Sequence, residues 1–447
     1  MISKIKNIYQ SINNPLVSKI VKNILWLFFD KLFRMGVGVI VIVLLARYLG
    51  PSNFGLYNYI TSLVALFLAL ASLGLNAIVV KELVENNNKL ETLTTSFYLR
   101  LFGGLISYIL LVVTIFMLKP NDELSKYLVA ILGLRLFFTS SDIIKYWFES
   151  QINSKYTVIV ENSVFLLFSI LKIILIYNKA RFEIFVYLFT LESVFVFFGM
   201  LYVFKKTGKS FNNSKFDLVK AKSLLSQSWP LIISSFAWIV YTKTDQIMIG
   251  QFLGNSEVGY YAAASRLSEI ASFLPTIITF SIVPSIIKLR TSNEDLYNRR
   301  FQQIYYIVTS LMVLLAIIVT SFASPIILIV YGKLYTSASS VLVVQFWIVV
   351  AIGLAIVSGK YLVNSGQQKI TMKRHILGVM FNFPLNYVLI PIYGINGAAI
   401  ASLISLAFSN YLFDYFSKST RLIFIQKTKS LCFYWVLSVF LKDKNYE

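Results

Sequence analysis

Twelve apolar stretches, each long enough to cross a bilayer, follow one another along 447 residues with only short polar interruptions. A crossing helix needs about 20 mostly apolar residues, because hydrocarbon offers the backbone no hydrogen-bond partner and a helix satisfies itself within one segment. Breaking the chain at its polar, Gly and Pro punctuation places the spans at 24–46, 56–80, 97–118, 126–147, 156–177, 183–204, 229–251, 258–287, 302–322, 337–359, 371–390 and 396–416. The composition agrees with a chain solvated by lipid: 57% hydrophobic, 14% charged, mean hydropathy +0.72. The predicted class is an all-α polytopic membrane protein.

A net charge of +21 would suggest nucleic acid in a soluble protein, so its distribution decides what it means. We set the N-terminus in the cytoplasm and count residues at helix ends with the flank they border. The inner segments then hold 29 Lys/Arg, the outer loops 6, and six lie in mid-span. This positive-inside bias predicts cytoplasmic termini, with anionic lipid headgroups as sufficient partners and no nucleic acid. The single Cys432 and single His375 exclude a disulfide framework and a Cys/His metal cluster, so no metal or cofactor is implied. Lys4, Lys6, Lys19 and Lys22 precede an apolar run too long for a signal-peptide core and without a small-residue cleavage site, so the N-terminus is expected to be retained.

Lys205, Lys206, Lys209, Lys215, Lys220 and Lys222 make the largest inner break, with six spans on either side. The predicted organisation is a lobe at 1–206, a basic cytoplasmic linker at 207–228, a lobe at 229–417 and a basic tail at 418–447. The tail's apolar run 431–441 is about half a spanning length and reads as interfacial. The turn after span one and the turn after span seven repeat at an offset of 204 residues: Leu49, Gly50, Ser52, Gly55, Tyr57 and Leu63 recur as Leu253, Gly254, Ser256, Gly259, Tyr261 and Leu267. Six spans separate them, so both turns face one side, and the lobes are expected to be parallel repeats about an axis along the membrane normal.

LLARYLGPSNFGLYNY at 44–59, YGKLYTSAS at 331–339 and the stretch from Asn364 through NFPLNYVLIPIYGINGAAIASLIS to Ser405 are the motifs that carry a family likeness. On these the chain resembles the multidrug/oligosaccharidyl-lipid/polysaccharide exporter superfamily, and within it the bacterial Wzx-type repeat-unit flippases for O-antigen and capsule. The resemblance implies two six-helix lobes around a central cavity and a site in the bacterial inner membrane. It also implies a polyprenyl-pyrophosphate-linked oligosaccharide as cargo, with a polysaccharide polymerase and chain-length machinery as further partners. Pro391 and Gly394 are expected to end one helix, and Gly397 with Ala398, Ala399 and Ala401 to let the next pack closely.

An ionisable group at mid-membrane costs roughly 2.5–3.5 kcal/mol on insertion scales, so each needs a partner, water or a role. Lys31, Arg34, Arg135, Lys172, Lys243 and Arg266 are the cations at that depth; Asp30, Glu161, Glu192, Asp245 and Glu269 are the acids, with Asp142 and Asp414 nearer the inner ends. Asp30 with Arg34, and Arg266 with Glu269, share helix faces and can pair locally. Lys31 lies off the face of Asp30, and Lys243 and Asp245 point apart, so these need partners on other helices. Two readings stand: structural ion pairs, or a cationic cavity for the pyrophosphate built from Lys31, Arg34, Arg135, Lys243 and Arg266, Lys172 being placed to snorkel outward. Asp30, Glu192 and Asp245 are the carboxylates for any coupling to protons or sodium.

Pro275, Pro284 and Pro384 favour kinks, and Trp26, Trp147, Trp229 and Tyr57 fall at expected membrane interfaces, where an aromatic belt is a sufficient explanation; sugar stacking on a cavity aromatic such as Trp238 is the alternative. The sequence therefore predicts a flippase that moves undecaprenyl-pyrophosphate-linked oligosaccharide from the inner to the outer leaflet by alternating access, without catalysis. An exporter of drugs or of a peptidoglycan precursor is the alternative. A membrane polymerase or glycosyltransferase is a third reading, opposed by the absence of a large outer loop that could carry an active site.

Overall fold

The computed structural model describes residues 15–85, 88–211, 215–287 and 289–432. Lys4, Lys6 and the apolar run beyond residue 432 lie outside them. Among the described residues every regular element is helical. The first are α1 (Pro15–Ala71), α2 (Leu75–Glu85), α3 (Lys89–Leu118), α4 (Glu123–Gly133), α5 (Arg135–Phe138), α6 (Asp142–Ser150), α7 (Lys155–Tyr177) and α8 (Phe182–Lys206). There follow α9 (Leu218–Phe252), α10 (Asn255–Ala271), α11 (Phe273–Ile286), α12 (Leu289–Ser292), α13 (Glu294–Tyr331), α14 (Ala338–Asn364), α15 (Gln368–Ala407), α16 (Phe413–Phe416) and α17 (Arg421–Leu431).

Among the described residues, ten helical stretches are long and apolar enough to cross a membrane. Two are too long for one crossing: at 1.5 Å per residue, the 64 residues of Lys22–Glu85 would run about three times the ~30 Å hydrocarbon thickness. That stretch breaks at Gly50 (φ 70°, ψ 172°), and Gln368–Phe416 breaks at Gly394 (φ 60°, ψ −142°), so the described residues have the length for about twelve crossings. Gly254, the repeat partner of Gly50, has nearly the same backbone (φ 94°, ψ −179°). A side chain is strained in this region, so the recurring Leu-Gly of the repeat is a recurring turn.

The chain packs as two compact units, one of residues 1–48 and 60–236, the other of 49–59 and 237–447. In the first, Leu75, Val79 and Leu83 repeat every four residues along α2 and bury against Leu93 of α3, Ile143 and Trp147 of α6, Phe204 of α8 and Leu224 of α9. α9 starts at Leu218, inside the stretch expected to be linker. Asp217 caps it, accepting from the backbone N–H of Val219 at 2.7 Å and of Lys220, while Lys220 pairs with Glu82. The two amides hold the Asp217 carboxyl below its ordinary value.

Span four is not one helix but α4, α5, a 3-10 turn at Thr139–Ser141 and α6. Span eight breaks at Ser272, three residues before Pro275, where the ring would clash with the preceding turn; Pro284 and Pro384 interrupt no helical backbone. Trp147 and Tyr57, expected in an interfacial belt, are buried. Gly397 packs so closely that a methyl there would overlap the Leu389 carbonyl, and Ala398, Ala399 and Ala401 beside it are fully buried.

Candidate functional site

The second unit holds a cavity of about 610 Å³. Trp238, Tyr241 and Asp245, three and four residues apart, turn one face of α9 toward it, with Lys243 beside them. α10 contributes Tyr261, Ser265 and Glu269, α14 an aliphatic strip with Gln345, and α15 Thr371, Arg374, His375 and Ser402.

Asp245 is buried, and its carboxylate is held by four neutral donors. Oδ1 accepts from Asn386 at 2.7 Å and Asn382 at 3.2 Å; Oδ2 accepts from the Tyr261 hydroxyl at 2.5 Å and from Ser402 at 2.6 Å. Asn382 and Asn386 are one helical turn apart and also bond each other at 3.0 Å. Such dipoles stabilise a negative charge without cancelling it, so the site suits a proton or a small cation as partner. Nearby, Arg266 and Lys243 share a single carboxylate, Glu269, at 3.0 and 3.8 Å, and the trio keeps a surplus positive charge. A second cluster lies at the α15 wall. Arg374 donates to Ser358 and to Asp414, and Asp414 also accepts from Lys427 of α17 at 2.9 Å, all three charges being buried.

The first unit has its own smaller cavity, about 180 Å³, lined by Arg34, Arg135, Asp142, Glu161, Glu192 and Ser193 among others. Arg34 reaches Asp30 at 2.8 Å on its own helix and Glu161 and Asn162 at 3.1 Å on α7, while Lys145 shares Glu161. Arg135 donates to Ser193 at 2.7 Å and lies 4.1 Å over the Phe189 ring. Lys172, expected to snorkel outward, instead turns its buried ammonium to Glu192 at 2.8 Å, over the same Phe189 ring.

The eight residues singled out in the sequence therefore divide. Arg34, Arg135 and Glu192 surround the first cavity, and Asp30 joins them through Arg34. Lys243 and Asp245 line the second, and Arg266 reaches it through Glu269. Lys31 is exposed on α1 and lines neither. Lys243 and Asp245 find their partners on other helices, as their angular separation required, and both local pairs form.

Sequence reasoning missed Asn382, Asn386, Tyr261 and Ser402 around Asp245. The signal is in the sequence: two amides four residues apart in an apolar helix must find a polar partner, whereas read as a family motif NFPLN gives only a likeness. It also missed the Arg374–Asp414–Lys427 cluster, since Arg374 and Lys427 had been counted as cytoplasmic flank.

The sequence profile of polysaccharide biosynthesis proteins matches residues 20–290, and that of MatE proteins matches 230–388. A probable low-salt glycan biosynthesis flippase of Haloferax volcanii is 25% identical over 409 residues, covering 88% of this chain and 82% of its own. A putative O-antigen transporter of Shigella dysenteriae is 25% identical over 181 residues, 40% of this chain and 45% of its own. Among solved structures, the lipid II flippase MurJ in an inward closed conformation superimposes with a TM-score of 0.68 at 17% identity, over 93% of this chain and 92% of that one. An inward-facing multidrug resistance MATE transporter gives 0.60 at 11% identity, over 93% and 99%. These two likenesses establish a shared fold.

Proposed function

Because the chain belongs to the polysaccharide biosynthesis protein family, we propose that it is a flippase carrying polyprenyl-pyrophosphate-linked oligosaccharide from the inner to the outer leaflet of a bacterial cytoplasmic membrane. Undecaprenyl pyrophosphate is the carrier in this reading, alternating access the means, and surface polysaccharide such as O-antigen or capsule the product. Both termini lie in the cytoplasm, and a polymerase with its chain-length machinery takes up the released unit. The covalent structure of the cargo does not change.

One observation carries the reading beyond its family: Lys243 and Arg266 answer to a single carboxylate, Glu269, at an intramembrane cavity, which leaves a positive charge for an anionic head once Asp245 in the same cavity has taken up its proton or ion. The lipid tail need not enter, since it can remain in the bilayer. Of the three carboxylates proposed for coupling, Asp30 and Glu192 are already paired with Arg34 and Lys172, whereas Asp245 is bonded only to neutral groups. Asp245 is thus our choice for a coupling proton or sodium ion.

Deleting the gene should leave complete lipid-linked oligosaccharide confined to the cytoplasmic leaflet. Accumulation of unassembled sugar nucleotides with no lipid-linked product would instead point to an enzyme, and normal surface polysaccharide would remove the chain from the pathway.

A further inference from the structure

Thr371, Arg374 and His375 lie on one face of α15, and each leaves a buried polar atom without a hydrogen-bond partner: Thr371 Oγ1, Arg374 Nε and His375 Nδ1. Ser265 Oγ on α10 is a fourth such atom in the same cavity. Polar atoms removed from water and left unpaired are unfavourable, and a ligand that pairs them recovers the loss. Arg374 itself is only 2% exposed, so its Nε is held in place by the bonds its terminal nitrogens make to Ser358 and Asp414.

The neighbouring walls have another character. Ile348, Ile352, Ala355 and Ile356 recur at helical spacing along α14 and present only aliphatic carbon. Trp238 of α9 is 41% exposed and lines the cavity, its ring 4.9 Å from the His375 imidazole and 6.2 Å from Tyr241. The site thus combines an aliphatic and indole surface with a row of fixed donors and acceptors. A bare phosphate fits it poorly, because it would leave the aliphatic strip and the indole ring unmatched. A bulky cationic drug fits no better, because Asp245 is only 5% exposed and Glu269 is already met by two cations. A pyranose ring has the matching division, with C–H faces to lie on carbon and hydroxyls on its rim.

We propose that this wall is a subsite for one sugar ring of the cargo, with the ring against Trp238 and the α14 strip and its hydroxyls on Thr371, Arg374 Nε and His375. The subsite rests on the glycan-flippase reading and gives the second cavity a part in choosing cargo by its sugar.

The test uses the full-length protein in nanodiscs, with farnesyl diphosphate and the same lipid carrying a single glucose, galactose, N-acetylglucosamine or glucuronate as probes. Wild type should bind at least one conjugate about tenfold more tightly than the sugar-free lipid, and Trp238→Ala or His375→Ala should shrink that margin to about twofold. Trp238→Phe, which keeps an aromatic face, should retain most of it. Thermal unfolding checks that each variant folds, and Thr371→Val, nearly equal in volume, makes the same comparison if Trp238→Ala does not. Equal wild-type affinity for all five lipids, or a margin that survives in the folded variants, overturns the subsite. Failure of the flippase reading is distinguishable: wild type would then move no glycan-bearing lipid between vesicle leaflets, whatever the binding margins.

Discussion

Gly55 and Gly259, equivalent positions of the 204-residue repeat, each pack against the other's turn. A methyl on Gly55 would overlap the Asn255 carbonyl and stand 2.7 Å from the Gly259 nitrogen; a methyl on Gly259 would overlap the Pro51 carbonyl. Pro51 and Asn255 are themselves repeat equivalents. The contact is therefore reciprocal, as at a two-fold interface, although one chain supplies both sides. Glycine at both places lets two backbones touch, which explains why the motif conserves these small residues between its two copies within the chain.

Gly55→Ala and Gly259→Ala should each lower stability by about 1–3 kcal/mol, because the obstructing atoms are backbone and have little room to yield. The double variant should cost less than the two single effects together, since one separation of the turns makes room for both methyls. Gly36→Ala, where a methyl meets nothing and alanine suits the helix interior better, should stabilise by up to about 1 kcal/mol. Thermal unfolding in detergent measures all four, and a neutral Gly55→Ala would show that the two turns part freely.

Asp245→Asn should reduce transport about tenfold or more, at least ~1.4 kcal/mol in barrier, and abolish its response to an imposed proton or sodium gradient. The substitution replaces an acceptor carboxylate with an amide facing the donors Asn382, Asn386, Tyr261 and Ser402, and removes the charge to be neutralised. Glu192→Gln, whose carboxylate is already matched by Lys172, should keep the gradient response. Proteoliposomes with controlled gradients give the answer; a gradient response intact in Asp245→Asn moves coupling elsewhere.

Lys427 makes the docking of α17 depend on pH. Burial, with Arg374 nearby, pushes its ammonium down to about 7, while Asp414 opposes the shift. Undocked, the lysine returns to roughly 10.4, so between about 7 and 10 the undocked form binds more protons. Docking is then weakest below pH 7 and strengthens as pH rises, by up to about tenfold per unit. Hydrogen exchange of Arg421–Leu431, corrected for intrinsic rate, should show protection rising over that window in wild type and flat in Lys427→Met. Protection that falls with pH in wild type would reverse the sign of the effect.

The twelve crossings and the Gly50 and Gly254 turns were legible because their signals are local: apolar length, and a residue type that alone tolerates the backbone. The family was legible from its motifs for the same reason. The break of span four starts at Gly133 and runs through the hydroxyl residues Thr139–Ser141, but these stand inside an apolar run of spanning length, and a reading by apolar length passes over them. Looking for charges in spans found Asp245 but not the neutral amides that hold it. Counting Arg374 as a flanking charge hid the buried cluster, since distance from a helix end does not reveal the Asp414 carboxylate waiting beside it.

Arg34 and Arg266 separate a structural cation from a binding one. Arg34 joins α1 to α7 through Asp30, Glu161 and Asn162, so Arg34→Ala takes the ion-pair partner from the partly buried Asp30 and leaves Glu161 only Lys145, which should cost about 1–3 kcal/mol of stability. Arg266 and Glu269 are 36% and 49% exposed at their side chains, and such a pair contributes only ~0–1 kcal/mol, so Arg266→Ala should melt close to wild type. If Arg266 holds the pyrophosphate, losing one charge-assisted contact should weaken farnesyl diphosphate binding about tenfold or more. Glu269→Gln should act oppositely, because it frees both Arg266 and Lys243 from their shared carboxylate and raises affinity for the anion. Melting curves and binding isotherms on the three variants decide the matter together. A fall in binding that only tracks lost stability would make these cations scaffold, whereas opposite binding changes in Arg266→Ala and Glu269→Gln at constant melting temperature require an anion beside Glu269.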